Sequence, residues 1–148
     1  MSAFVTAGGG FLLAVLWFDL MFDVQVLGRE GPLPESTLAS IAAYYGRVTT
    51  AARPMNRLVA SAMLATLAGV ITEIAAGVDE QWAAWASLGL LFAAIALAGA
   101  HTVPSAVRLG ARADPPARQS ELARSICRDH LVCLAAIAGL LALQLAAV

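Results

Sequence analysis

The stretch Phe11–Val26, FLLAVLWFDLMFDVQV, is apolar enough to enter a lipid bilayer, yet it carries two carboxylates, Asp19 and Asp23, one helical turn apart. A charged side chain at the centre of a transmembrane helix costs roughly 2.5–3.5 kcal/mol on insertion scales. Such residues therefore face the interior of a helix bundle and take partners there. We expect the rest of the chain to supply partners for this pair.

The composition of the chain is that of a membrane protein. Of its 148 residues, 60% are hydrophobic and 13% are charged, whereas about 25% of residues are charged in soluble domains. Apolar runs of about 20 residues predict transmembrane helices. Four such spans are predicted, at residues 3–27, 55–77, 82–103 and 130–148. We therefore predict a single all-α domain, a polytopic membrane protein built as a four-transmembrane-helix bundle.

The loop between the first two spans contains a shorter amphipathic segment. Apolar residues recur at helical spacing over residues 36–50, which are too few to cross a bilayer. We predict a short interfacial helix there, in the first cytoplasmic loop, with Tyr44 and Tyr45 near the lipid headgroups.

The distribution of arginine predicts the orientation of the chain in the membrane. All nine cationic residues are arginine, and they lie in or beside the loops that join spans 1 and 2 and spans 3 and 4. The opposite side carries Asp79 and Glu80 and no arginine. The positive-inside rule then makes both arginine-bearing loops cytoplasmic and both termini external, in a multi-pass protein of the cell membrane. Arginines so placed suit an anionic leaflet, and we predict no nucleic-acid partner.

With this orientation, the cytoplasmic ends of all four spans meet in one polar layer. Its predicted members are Asp19 and Asp23 from span 1, Arg53 and Asn56 from span 2, His101 from span 3, and Asp129 and His130 from span 4. We expect Arg53 to pair with Asp23, and Asn56 or a histidine to serve Asp19, because a buried carboxylate needs an opposite charge or donors.

Three interpretations of this layer stay open. It is a closed, ion-paired layer that fixes helix register, a pocket for a ligand, proton or metal, or a set of side chains that reach the headgroups. A metal is not predicted, because Cys127 and Cys133 point roughly 120° apart around a helix and the Glu-x-x-His pattern of di-iron bundles is absent. The cofactor is left unknown.

A second polar pair is predicted near the outer leaflet, where Glu73 and Gln144 lie at similar depth. One interpretation is a protonated glutamic acid that is hydrogen-bonded to Gln144. The other is a station on a transport path whose second station is the layer of Asp19 and Asp23.

Three short stretches resemble the anthrone-oxygenase-like family of four-helix membrane proteins. They are Tyr45-Gly-Arg-Val before span 2, Val103-Pro-Ser-Ala-Val-Arg after span 3, and Arg128-Asp-His130 near the start of span 4. The resemblance implies a four-helix architecture and an oxidative role on a hydrophobic substrate, and it assigns no catalytic residue.

Three functions follow from these observations, and whether the protein is an enzyme is left open. It binds or oxidises a hydrophobic small molecule at the polar layer, serves as a structural or accessory membrane subunit with that layer closed, or acts as a small oligomeric transporter. The expected partners are the lipid bilayer, a hydrophobic small molecule, and a second copy of the chain or another membrane protein.

Overall fold

The computed structural model describes residues 2–51 and 53–147, except for the side chains of residues 2, 53 and 54. The described chain forms six α-helices: α1 Ser2–Asp23, α2 Glu35–Tyr45, α3 Arg53–Ala76, α4 Gln81–Leu97, α5 Val103–Ala111 and α6 Pro116–Ala146. A 3-10 turn follows α1 at Val24–Val26, and π-helical turns follow α2 at Gly46–Ala51 and α4 at Ala98–Thr102.

Four helical segments of this described chain are long and apolar enough to cross a membrane. They are Ala3–Val26, Met55–Ala76, Gln81–Ala111 and Pro116–Ala146. The prediction of an all-α polytopic membrane protein is therefore confirmed.

The four long helices form a ring, because α1 and α4 each pack against both α3 and α6. The centre of the ring is an apolar cluster that includes Val5, Leu12, Val70, Leu91, Ile137 and Leu140. Gly69 of α3 allows a close approach, since a Cβ added there would lie 2.9 Å from Val5 Cγ2 of α1. A small residue that lets two helices approach closely is typical of helix packing in membranes.

A second apolar cluster caps one end of this ring. It joins α2, α5 and the first half of α6, and it includes Leu38, Ile41, Tyr45, Leu109, Leu122 and Ile126. The ends of α2 and α5 meet in backbone contact, because a Cβ added to Gly110 would lie only 2.6 Å from the Gly46 nitrogen. We call α2, α5 and the first half of α6 the cap.

The cap changes two expectations drawn from the sequence. The span predicted at residues 130–148 leaves the first turns of α6 outside the membrane, but Leu122, Ala123 and Ile126 of those turns are buried against α2 and α5. The short helix in the first loop is present, but its apolar face, including Leu38 and Ile41, is covered by protein. An amphipathic helix shows the same periodicity whether protein or lipid covers it.

The third span is predicted to end at residue 103, directly before Pro104. The chain instead stays helical from Gln81 to Ala111. The π-helical turn Ala98–Thr102 precedes the proline, which then lies in the first turn of α5. A proline inside a helix removes one backbone hydrogen bond and clashes with the carbonyl four residues earlier. The change of hydrogen-bond register at the π-helical turn lies where that bond would otherwise form, so the helix continues past the proline.

Candidate functional site

Asp23 is the centre of a polar layer where α1 meets the cap. Its side chain is 0% exposed, and both carboxylate oxygens have a partner. The Tyr45 hydroxyl of α2 donates to Asp23 Oδ1 at 2.6 Å. His130 Nδ1 of α6 lies 2.6 Å from Asp23 Oδ2. One carboxylate therefore links three helices.

Asp19 lies one turn away and shares the same histidine. The Tyr44 hydroxyl donates to Asp19 Oδ1 at 2.6 Å, and His130 Nε2 lies 3.8 Å from Asp19 Oδ2. Phe22 stacks on Tyr44 with ring centroids 4.1 Å apart, which holds the tyrosine ring over α1. We call Asp19, Asp23, Tyr44, Tyr45 and His130 the tyrosine-capped layer.

The two tyrosines are permanent donors in this layer. Burial, followed by the hydrogen bond to Asp19, raises the pKa of Tyr44 above its ordinary value. Burial, followed by the charge of Asp23, raises the pKa of Tyr45 in the same direction. Both hydroxyls therefore keep their protons at physiological pH, because a phenolate beside a buried carboxylate is unfavourable.

Asp129 belongs to a neighbouring group that faces α4. His101 Nδ1 lies 2.6 Å from Asp129 Oδ2, and the Thr102 hydroxyl donates to the same oxygen at 2.9 Å. The Asp129 side chain is buried, whereas that of His101 is half exposed. Five of the seven residues expected to form one layer therefore lie in two separate groups, which contact adjacent faces of α6.

Two of the expected members stand apart from these groups. Asn56 is exposed and donates to the Thr49 carbonyl at 2.6 Å. The side chain of Arg53 lies outside the described residues, so its pairing with Asp23 stays a prediction. Among the described ion pairs, arginines contact Asp114, Glu35 and Glu121, not Asp19 or Asp23. The described donors to Asp19 and Asp23 are the tyrosine hydroxyls and His130.

Glu73 and Gln144 meet at the other end of the ring. Gln144 Nε2 donates to Glu73 Oε2 at 3.1 Å and also lies 3.3 Å from Ser87 Oγ. All three side chains are buried. Glu73 Oε1 has no hydrogen-bond partner among the described residues. We call these residues the distal group.

Asp23, Tyr45 and His130 are buried within the tyrosine-capped layer, whereas Asp19 is 16% exposed at its edge. Two clefts, of about 370 and about 570 Å³, lie beside the cap. Among the described residues that line them, none belongs to the tyrosine-capped layer. The described chain also contains no group of three or more histidine, cysteine, aspartate or glutamate side chains that could hold a metal ion. The described contacts of the layer are therefore paired interactions between helices.

Comparison with known proteins places the chain in a family. The model of a family described as ER membrane protein SH3, the SHR3 chaperone family, matches residues 1–148. The chain belongs to the SHR3 chaperone family. Comparisons with curated proteins and with solved structures give no match.

Membership of the SHR3 family overturns the resemblance to anthrone-oxygenase-like proteins, which is wrong. The three stretches that carried that resemblance hold arginine, proline and histidine next to membrane spans. These residue types recur at the boundaries of unrelated polytopic proteins, because headgroups and helix ends favour them. They therefore indicate a membrane boundary and not a family.

Sequence reasoning missed three members of the polar groups in this SHR3-family chain, namely Tyr44, Tyr45 and Thr102. Tyr45 continues the apolar face of α2 through Leu38 and Ile41, and it ends that face with a hydroxyl. A buried tyrosine usually places its hydroxyl against a hydrogen-bond partner. The carboxylates of span 1, which need donors from other helices when they are buried, were the signal available for that partner.

Proposed function

We propose that this protein is a chaperone or accessory subunit for client membrane proteins. The observation that carries the proposal is the match of the SHR3 chaperone family model to residues 1–148. That the protein is a small integral membrane protein follows from its four apolar helices. We infer the chaperone role for this chain from the description of its family. That description favours the accessory interpretation over oxidation of a small molecule.

The burial of Asp23 in the tyrosine-capped layer supports this proposal. Catalysis or transport at Asp23 would need a route by which a substrate reaches its carboxylate. Asp23 is instead fully buried, and both of its oxygens are engaged by Tyr45 and His130. A saturated set of polar contacts fixes the register of helices, which is the best-attested use of buried polar groups.

The outer surface of the ring supports a role in contact with other membrane proteins. Only 17% of an 18-residue apolar stretch within the span Met55–Ala76 is buried inside the protein. The buried share of the corresponding stretch within Ala3–Val26 is 22%. Large side chains such as Phe4, Trp17 and Leu64 point outward. A client's transmembrane helix would compete with lipid for these faces, through close packing and not through a hydrophobic driving force.

We further propose an orientation and a location. The arginine-bearing loops are placed in the cytosol and both termini on the opposite side, as the positive-inside rule predicts. The family's description names the ER membrane, so we propose that membrane in place of the cell membrane. Glycosylation acceptor sites added at each terminus test the orientation, because they are modified only on the lumenal side of the ER. Attached glycans that stay in the unprocessed high-mannose form would support residence in the ER, whereas processed glycans would contradict it.

The test of function compares cells with and without the protein. We expect that its loss increases the detergent-resistant, aggregated fraction of a subset of newly made multi-span membrane proteins. Single-span proteins, which bury no interhelical surface, serve as the control. The wild-type chain should restore the soluble fraction. If no multi-span protein aggregates or is retained in cells that lack the chain, the proposed function is wrong.

A further inference from the structure

Three arginines gather beside a cleft at the junction of α1 and α6. The cleft has a volume of about 570 Å³ and is lined by Val26, Leu27 and Leu131 on its apolar side. Arg29, Arg124 and Arg128 line its basic side. Residues 124, 128 and 131 recur at helical spacing, so one face of α6 presents both kinds of side chain.

The positive charge of this cleft is not neutralised by the described ion pairs. Those pairs engage Arg108, Arg112 and Arg118. Arg124 donates to the neutral Gly31 carbonyl. Glu121 lines the cleft, but its carboxylate is already 2.7 Å from the Arg118 guanidinium. The cleft therefore attracts an anion.

The neighbouring cleft, of about 370 Å³, provides an internal comparison. It shares Arg128, and it is also lined by Arg108 and Arg118. These two guanidiniums lie 2.7 Å from Asp114 and Glu121 respectively. Its charge is thus largely balanced within the protein. In the larger cleft, by contrast, the described ion pairs engage none of Arg29, Arg124 and Arg128.

The position of the larger cleft decides what kind of anion fits. It begins where the span Ala3–Val26 ends, which is where hydrocarbon gives way to headgroups. Leu27 is 54% exposed and Leu131 is 41% exposed. Guanidiniums recognise phosphate through paired hydrogen bonds, and basic pockets between transmembrane helices hold anionic headgroups. A free phosphate would gain nothing from the leucines, whereas a phospholipid contacts both sides.

We propose that this cleft is a binding site for an anionic phospholipid. The phosphodiester lies against Arg29, Arg124 and Arg128, and the start of an acyl chain lies against Leu27 and Leu131. The site belongs to the chain itself and does not depend on the chaperone role. A lipid there would join the end of α1 to α6, close to the tyrosine-capped layer that already links these helices.

The test is a lipid titration of the intact, detergent-purified protein, followed by native mass spectrometry. The probes are phosphatidylserine, phosphatidylcholine and soluble glycerol 3-phosphate. We expect wild-type protein to retain phosphatidylserine in preference to phosphatidylcholine. Arg128→Gln should weaken phosphatidylserine binding about fivefold, since each basic residue near an anionic surface contributes about 1 kcal/mol. Replacing all three arginines with glutamine should abolish the preference.

Arg57→Gln is the matched control. This substitution removes the same charge from the chain. Arg57 is exposed, and it does not line the cleft. Arg128→Lys should keep most of the preference, and thermal melts of every variant separate loss of binding from loss of folding. An equal loss in Arg57→Gln, no preference for phosphatidylserine, or equally strong binding of glycerol 3-phosphate would each overturn the proposal.

Discussion

Carboxyl groups are buried at both ends of the helix ring, and the two ends satisfy them differently. At the cap end, Asp23 has Tyr45 on one oxygen and His130 on the other. At the distal end, Glu73 has Gln144 on one oxygen and no described partner on the other. The cap supplies the additional donors, because α2 lies over the end of α1. The distal end is closed only by a short turn, so its polar group depends on the spans themselves.

This difference implies different energetic roles. A saturated carboxylate at the cap end is costly to disturb, because removing any partner leaves a buried charge or a buried polar atom unpaired. The distal group is already incompletely paired, so replacing it by apolar side chains removes a desolvation cost. The variants below test this contrast, and unfolding in micelles titrated with sodium dodecyl sulfate measures the free energy.

His130→Ala is expected to have the largest effect. It removes the partner shared by Asp23 and Asp19, and truncating one member of a buried ion pair typically costs 3–5 kcal/mol. Asp23→Asn is the control and should cost less, because an amide oxygen still accepts from Tyr45, no buried carboxylate is left without a partner, and the histidine can become neutral. If Asp23→Asn destabilises the protein as much as His130→Ala, the layer is not organised around a paired charge.

How much of this layer was predictable depends on the residue. The need of Asp19 and Asp23 for partners follows from hydropathy alone, and His130 was among the residues expected nearby. Tyr45 was assigned to the headgroups, because periodicity does not tell whether α2 docks on lipid or on protein. For the same reason, the periodicity of α6 does not show that Leu122 and Ile126 are buried by protein. Tertiary docking decided these positions, whereas span number and helix class followed from local composition.

Tyr45→Phe is expected to have the next largest effect. It removes a hydroxyl that donates to a fully buried carboxylate, and hydrogen bonds to charged groups contribute about 1.5–3 kcal/mol. Tyr44→Phe is the matched control on the same helix. Its partner Asp19 is 16% exposed, so water replaces part of the lost bond. Equal losses for the two variants would show that burial does not set the strength of these contacts.

Gly110→Ala tests whether the cap positions the tyrosines. The added methyl group would lie 2.6 Å from the Gly46 nitrogen, so backbone must shift, at a cost of about 1–3 kcal/mol. Gly89→Ala is the control, because nothing lies within 4 Å of its added Cβ, and it should stabilise its helix by about 0.5–1 kcal/mol. A destabilised Gly89→Ala with an unaffected Gly110→Ala would contradict the described contact between α2 and α5.

The smallest change is expected for the double replacement Glu73→Leu with Gln144→Leu. Both partners of the distal hydrogen bond are removed together, and replacing both by apolar groups is nearly neutral or stabilising. Ser87 loses its contact with Gln144, but a serine hydroxyl in a helix can bond to the carbonyl four residues earlier. We expect a change within about 1 kcal/mol in either direction.

The same exchange at the cap end, Asp23→Leu with His130→Leu, provides the comparison for this last prediction. It leaves the Tyr45 hydroxyl buried without an acceptor and Asp19 without its histidine, and each orphaned group costs about 1–3 kcal/mol. The cap exchange should therefore destabilise the protein by several times more than the distal exchange. If the distal exchange is the more costly of the two, Glu73 is held by a contact stronger than its bond to Gln144.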